Sequence, residues 1–266
     1  MEINRVYCED CRDTMARMPD GFIDLTVTSP PYDNLRTYKN NIDKVWGEHI
    51  WKPIIKELYR VTKRGGVVVW MVGDATIKGS ETGTSFRQAL YFKEVGFNLH
   101  DTMIYKKKNP MPMLYRLRYT SEFEYMFVLS KGKVRTHNPI LVDCLCFGNK
   151  LVGSTYKNFN RNVQSRTKPA KPVKKQKIKG NIWEYVIGAK GEDLEGKQHT
   201  AILPCALVHD HIISWSNEGD LIYDPFMGSG TTAKMAVKNN RNWIGSEISS
   251  EYCELIEKRI ASLKED

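Results

Sequence analysis

No stretch of this sequence approaches the run of roughly 20 apolar residues that a membrane helix needs. Its first residues, Met1-Glu2-Ile3-Asn4-Arg5, lack the charged-then-apolar pattern of a secretory signal. A cytoplasmic setting is therefore expected, in which Cys8, Cys11, Cys144, Cys146, Cys205 and Cys253 stay reduced. A metal centre lacks its spacing as well. Cys8 and Cys11 have the gap of a zinc loop, but Cys144 and Cys146 enclose a single residue, which does not complete a tetrahedral site. No internal repeat is present. From Lys157 to Lys179 there is no acidic residue at all, against nine basic ones, a number equal to the net charge of +9 of the whole chain. That surplus suits a polyanion as partner, whereas a solvated loop is the plainer account of the same run.

With 266 residues, 41% of them hydrophobic and 27% charged, the chain has material for one α/β domain and an added lobe. Strand and helix patterns alternate, which favours a sandwich with parallel strands at its core. Phe22–Thr28 reads as a buried strand stopped by Pro30-Pro31. Trp51–Thr62 reads as a helix with Ile54, Ile55, Leu58 and Val61 on one face, ended by Arg64-Gly65-Gly66. Val67–Val72 is a continuous apolar strand, Ser85–Val95 a second helix, and Asn98–Tyr105 and Phe123–Leu129 an antiparallel strand pair. Regularity weakens from Lys131 to about Gln198. It returns with a helix at Leu203–Trp215, a strand at Leu221–Tyr223, a helix at Thr232–Asn239, a strand at Asn242–Gly245 and a helix at Glu251–Leu263. The expected organisation is two halves of one sheet, residues 1–130 and 199–266, with an irregular insert at 131–198.

Two motifs carry chemistry. Asp224-Pro225-Phe226-Met227-Gly228-Ser229-Gly230-Thr231-Thr232 follows a strand and opens a helix, and its glycines let backbone approach a ligand closely. Glu247 ends the next strand, where an acid can accept from two ribose hydroxyls. No lysine follows the last glycine, which excludes a phosphate loop of the Walker type. A nucleoside without a phosphate chain fits, and S-adenosylmethionine would set its ammonium and sulfonium near Asp224. The second motif, Thr28-Ser29-Pro30-Pro31-Tyr32, sits at the carboxyl end of a strand, where open α/β sheets place ligands. Its prolines can neither continue the strand nor donate. Ser29 Oγ and the Pro30 carbonyl can then accept from one amino group beside the ring of Tyr32. Two acceptors on an aryl amine return electron density to its nitrogen, a form of electrostatic preorganisation.

TSPPY, then DPFMGSGTT and WIGSEI, resemble the amino-methyltransferases of DNA, in the beta-type order with the catalytic motif first. The resemblance implies a Rossmann-like, permuted, mixed and mostly parallel sheet of seven strands, helices on both faces, and the 131–198 insert as target-recognition lobe. It implies S-adenosyl-L-methionine as cofactor and double-stranded DNA as partner, with the target base flipped out and methylated directly. Asp10-Cys11 resembles a family segment whose acid meets the cofactor's adenine. His199-Thr200 through Pro204 resembles one that helps hold its methionine end. Thr28, Asp224, Pro225, Phe226, Gly228, Ser229, Gly230, Thr231, Thr232, Glu247 and Ile248 complete the implied cofactor set. Ile104–Asn109 and Ser121–Tyr125 resemble later strands near the target base. Lys168, Lys171, Lys174, Lys175 and Lys177 are the DNA contacts assigned to the insert. Ser29 is usual in cytosine-directed relatives, Asp or Asn in adenine-directed ones, so N4 of cytosine is the expected target. The N6 amino group of adenine, and a catalytically silent nucleic-acid-binding module, stay open. So do a cognate restriction endonuclease and a second copy of the chain as partners.

Overall fold

The computed structural model describes residues 1–31, 46–112, 117–145, 147–148, 173–187 and 203–263. The chain opens with β1 (Arg5–Cys8), α1 (Cys11–Ala16) and β2 (Ile23–Thr28). Next come α2 (Glu48–Val61), β3 (Thr62–Val72), the short strands β4 (Thr76–Ile77) and β5 (Ser80–Glu81), and α3 (Thr84–Val95). Then follow β6 (Asn98–Lys107), β7 (Phe123–Ser130), β8 (Leu141–Asp143), β9 (Gln176–Ile178) and β10 (Ile182–Tyr185). The last stretch holds α4 (Cys205–Trp215), β11 (Leu221–Asp224), α5 (Thr231–Lys238), β12 (Asn242–Glu247) and α6 (Ser250–Ser262).

Eight strands form one sheet in the order β1-β12-β11-β2-β3-β7-β6-β10. Only β7 runs against the rest, through antiparallel pairs with β3 and β6. The sheet is the expected mixed, mostly parallel α/β one, with a strand more than the seven implied. Two strands of this sheet, β1 and β10, were not among those read from the sequence, and β10 pairs in parallel with β6 from Ile182↔Ile104 to Tyr185↔Lys107. Trp183 and Tyr185 are its buried side chains. Four alternating residues are too few for periodicity to register, so this segment reads as irregular in the sequence.

Helices pack on both faces because alternate side chains of each strand point opposite ways. Trp51, Ile54, Ile55 and Leu58 of α2 join one core with Val68, Trp70 and Val72 of β3 and Tyr223 of β11. On the other face His211 of α4 meets the sulfur of Met126, whose cross-strand partner is Met71. Each fully buried aliphatic or aromatic side chain contributes about 1.5–3 kcal/mol by leaving water.

The chain divides into two compact units, residues 1–138 with 181–266, and residues 139–180. The second unit is narrower at both ends than the 131–198 insert expected. Residues from Lys131 are tied to the sheet, with Gly65 N–H donating to Lys131 O at 2.7 Å and Asn138 N–H to Ser214 O at 2.8 Å. In the second unit β8 and β9 form an antiparallel pair, and Lys174, Lys175 and Lys177 are exposed on or beside β9. Lys168 and Lys171 lie outside the described residues.

Asp24 anchors the amino end of β2. Its buried carboxylate accepts from Lys63 Nζ at 2.6 Å, Arg135 Nη2 at 2.6 Å and the Leu221 N–H at 3.0 Å, so strands from both ends of the chain share one acid. Lys63 and Arg135 are partly exposed and regain water if the acid is removed, but the Leu221 N–H is buried. Asp24→Ala is therefore expected to lower the unfolding free energy by about 1–3 kcal/mol, measured by urea denaturation with an unchanged m-value.

Candidate active site

The parallel strands end on one edge of the sheet, and both sequence motifs emerge there. β2 delivers Thr28 and then Ser29, and β11, its neighbour, delivers Asp224. Thr28 Oγ1 donates to Asp224 Oδ1 at 2.6 Å, and Thr232 Oγ1, from α5, donates to Oδ2 at 2.7 Å. The Phe226 N–H adds a third donor to Oδ1 at 3.0 Å. Asp224 is 2% exposed. Burial pushes its carboxyl up from the usual range, and the two hydroxyls and the amide pull it back down. The acceptor motif and the glycine-rich turn are thus joined through one buried acid.

The turn itself is strapped from three sides. Gly228 has φ +52° and Gly230 φ +83°, conformations that L side chains avoid. A Cβ on Gly230 would also lie 2.9 Å from Ile256 of α6. Glu247, at the end of β12, accepts from the Gly228 N–H at 2.8 Å and the Ser249 N–H at 2.9 Å. Its carboxyl is raised by burial, against the pull of those amides, and the nearby Asp224 charge raises it further. Met227 N–H donates to Ser246 O at 2.9 Å, and its side chain packs over Gly245, where a Cβ would come within 2.2 Å of Met227 Cε. Arg259 of α6, 3% exposed, donates to the Ser229 carbonyl.

Around this frame the other expected residues take varied places. Pro225, Ser229, Gly230, Thr231 and Thr232 are buried, while Phe226 and Gly228 are half-buried. Ile248 is more than half exposed beside Glu247. Cys8 is the strand partner of Glu247, which brings Asp10 to the same edge. Asp10 caps α1 through the Arg12 N–H at 2.9 Å and pairs with the Arg12 guanidinium at 2.6 Å. Cys11 is buried and its thiol pushed far up by desolvation. Pro204 is the N-cap residue of α4. Ser29 and Pro31 are half-buried and Pro30 is buried. Tyr32, His199 and Thr200 lie outside the described residues.

Sequence reasoning missed three contributors. Phe226 is met edge-on by Trp46 at 5.5 Å and by Trp70 at 6.2 Å between ring centroids. Trp70 is held by its indole N–H, which donates to Gln88 Oε1 at 2.8 Å. Arg259 had a signal, since it interrupts the buried face Cys253, Ile256 and Ile260 of α6. Trp70 is hidden within an apolar strand, and nothing in the sequence marks Trp46.

A family model described as DNA methylase matches residues 23–258. The chain belongs to this DNA methylase family. It is 51% identical over 246 residues to the orphan methyltransferase M.BamHII of Bacillus amyloliquefaciens, covering 91% of this chain and 89% of that one. The DNA adenine methyltransferase YhdJ of Escherichia coli (strain K12) is 26% identical over 267 residues, 97% of this chain and 83% of the other. Among solved structures, the PvuII DNA methyltransferase (cytosine-N4-specific) shares the fold, with a TM-score of 0.69 at 21% identity over 96% of this chain and 85% of that one. The methyl donor of the family is S-adenosylmethionine. The residues present fit that group. Two carboxylates, Asp224 and Glu247, face the glycine-rich turn, and the nearby Arg259 guanidinium is engaged by the Ser229 carbonyl. Such a site suits a sulfonium and an ammonium and disfavours a polyphosphate.

In this methylase Thr28→Val removes a donor from a buried acid without changing shape. The expected loss is about 1–3 kcal/mol of unfolding free energy near neutral pH. Without Thr28 the folded-state pKa of Asp224 rises further. A raised carboxyl penalises folding above its unfolded value, and protonation below that value removes the penalty. Urea titrations should therefore find the wild-type and variant stabilities converging as pH falls.

Proposed function

We propose that this methylase transfers a methyl group from S-adenosylmethionine to the N4 amino group of cytosine in duplex DNA. Transfer to an amino nitrogen, whichever the base, is carried by the hydrogen bond from Thr28 to Asp224, which joins the strand end before Ser29 to the glycine-rich turn. Bound S-adenosylmethionine supplies an electrophilic methyl group. The side chains have the work of holding and orienting. Glu247 would accept from the ribose, Phe226, met edge-on by Trp46 and Trp70, would pack on the adenosyl group, and Asp10 would meet the adenine. The Asp224 carboxylate would favour the cationic end of the cofactor, which the His199–Pro204 segment would help to hold. Ser29 Oγ and the Pro30 carbonyl accept from the target amino group, and Tyr32 stacks on its ring. The base must leave the duplex first, because a paired amino group is engaged in the stack. No nucleophilic side chain is called for.

Ser29 supports cytosine through the family regularity. The acceptor chemistry alone does not choose, since Ser, Asn and Asp all accept from an aryl amine. Nucleoside mass spectrometry of unmethylated DNA incubated with enzyme and cofactor decides. The expected product is N4-methylcytosine. Methyladenine alone, the reading favoured by likeness to YhdJ, overturns the base assignment and leaves the rest standing. Ser29→Ala and Tyr32→Ala should lose turnover while binding cofactor, and Tyr32→Phe should lose less.

Glu247 has a pH signature. A cationic cofactor favours the ionised carboxylate, so protons compete with it, and they do so at a higher pH than for an ordinary Glu. Calorimetry should find affinity falling as pH drops through that raised range. Glu247→Gln should bind roughly 1.5–3 kcal/mol more weakly and lack the acid-side fall.

The basic stretch is assigned to the DNA backbone. Neutralising Lys171, Lys174, Lys175 and Lys177 together should weaken DNA binding. The slope of log affinity against log salt should flatten by about 0.9 for each phosphate that the variant no longer neutralises. An unchanged slope leaves the stretch a solvated loop.

A further inference from the structure

The carboxyl edge of the sheet has two sides. Over β11 and β12 lies the glycine-rich turn. Over β3, β7 and β6 project the β4–β5 hairpin, which follows the end of β3, and the described parts of the connection from β6 to β7. Thr28 pairs with Trp70, so the chain leaving β3 two residues later rises beside the acceptor motif.

The hairpin pairs Thr76 with Glu81 and Ile77 with Ser80 around Lys78-Gly79, both left-handed at φ +48° and +82°. Such a turn matches strand twist, but strands of two residues have no stability of their own. The surroundings hold it. Thr82 N–H donates to Ala75 O at 2.9 Å, and Asp74 accepts from the Ser85 N–H at 2.9 Å, the Ser85 hydroxyl and Thr82 Oγ1. Arg118, from the neighbouring connection, donates to the Gly79 carbonyl and pairs with Glu81 at 3.5 Å.

A backbone held in this way carries side chains that reach water. Ile77 is 55% exposed, and Lys78 forms no ion pair among the described residues. Met111, Leu117 and Tyr119 on the adjoining connection are 86%, 97% and 99% exposed. Apolar side chains on a rigid projection beside a DNA-modifying site have an occupant of matching chemistry. When a base leaves the duplex its neighbours unstack, at a cost of a few kcal/mol, and an apolar wedge recovers part of it. Isoleucine suits this place, since its β-branch leaves little rotamer freedom to lose.

We propose that the Thr76–Glu81 hairpin enters the duplex at the position the target base vacates, with Ile77 filling the gap in the stack and Lys78 on a flanking phosphate. This rests on the DNA-methylating reading above. The test compares kcat/KM for wild type and Ile77→Ala on a duplex whose site has been mapped in DNA from an expressing host. A second substrate carries the same site with an abasic position opposite the target. Ile77→Ala should lose about tenfold on the paired duplex and less than about twofold on the abasic one, where little stacking is left to replace. Equal loss on both substrates indicates a structural role, and loss on neither indicates no role; each overturns the proposal. A change confined to the sedimentation of the free protein makes the patch an interface between copies and overturns it too. Lys78→Gln should lower the salt slope by about 0.9, and an unchanged slope removes Lys78 from the phosphate. A wild type that methylates no duplex overturns the parent reading instead, before any variant is compared.

Discussion

The Asp224 carboxylate, taken out of water between Thr28 and Thr232, is the constraint on which the site depends. Burying an acid is costly unless donors surround it, and here the donors come from three places: the end of β2, the start of α5 and the turn between. Each offsets part of the cost that burial imposes on the ionised acid. The same three hydrogen bonds set the angle at which the acceptor motif leaves the sheet and the path of the glycine-rich turn. Thr28 and Asp224 lie 196 residues apart in the chain, and their hydrogen bond is where the two motifs meet.

From this point the restraints spread outward. Glu247 holds the turn through the Gly228 amide, Arg259 holds it through the Ser229 carbonyl, and Met227 seals it against Gly245. These interactions satisfy the turn's own backbone groups, and they leave Phe226 half-buried with two tryptophans edge-on to it. The architecture is that of a rigid cradle. Preorganisation of this kind means that little reordering is needed when a ligand arrives.

The opposite side of the edge is built differently. Where the cofactor side is buried and strapped, the side over β3, β7 and β6 ends in a hairpin and a connection whose apolar side chains face water. A duplex is large and must itself be deformed for a base to be reached. A projecting, backbone-fixed element fits that task better than a closed pocket.

Much of the sheet was legible in the sequence, because Ile54, Ile55, Leu58 and Val61, or the run Val67–Val72, report by their spacing which faces they bury. The two motifs were legible too, since a strand, a glycine turn, a helix and a following acid form a local pattern. The short strands β1 and β10 were not, having too few residues to show a period. Nor were Trp46, Trp70 and Gln88, whose importance lies in what they touch. Periodicity says that a strand is buried but not beside which strand. That choice belongs to the topology, which brings β2 and β11 from opposite ends of the chain to the middle of the sheet. The two motifs were therefore set out by the sequence alone. The bond that makes them one site, from Thr28 to Asp224, was decided only in three dimensions, where a buried acid could be satisfied by a hydroxyl that no local pattern places next to it.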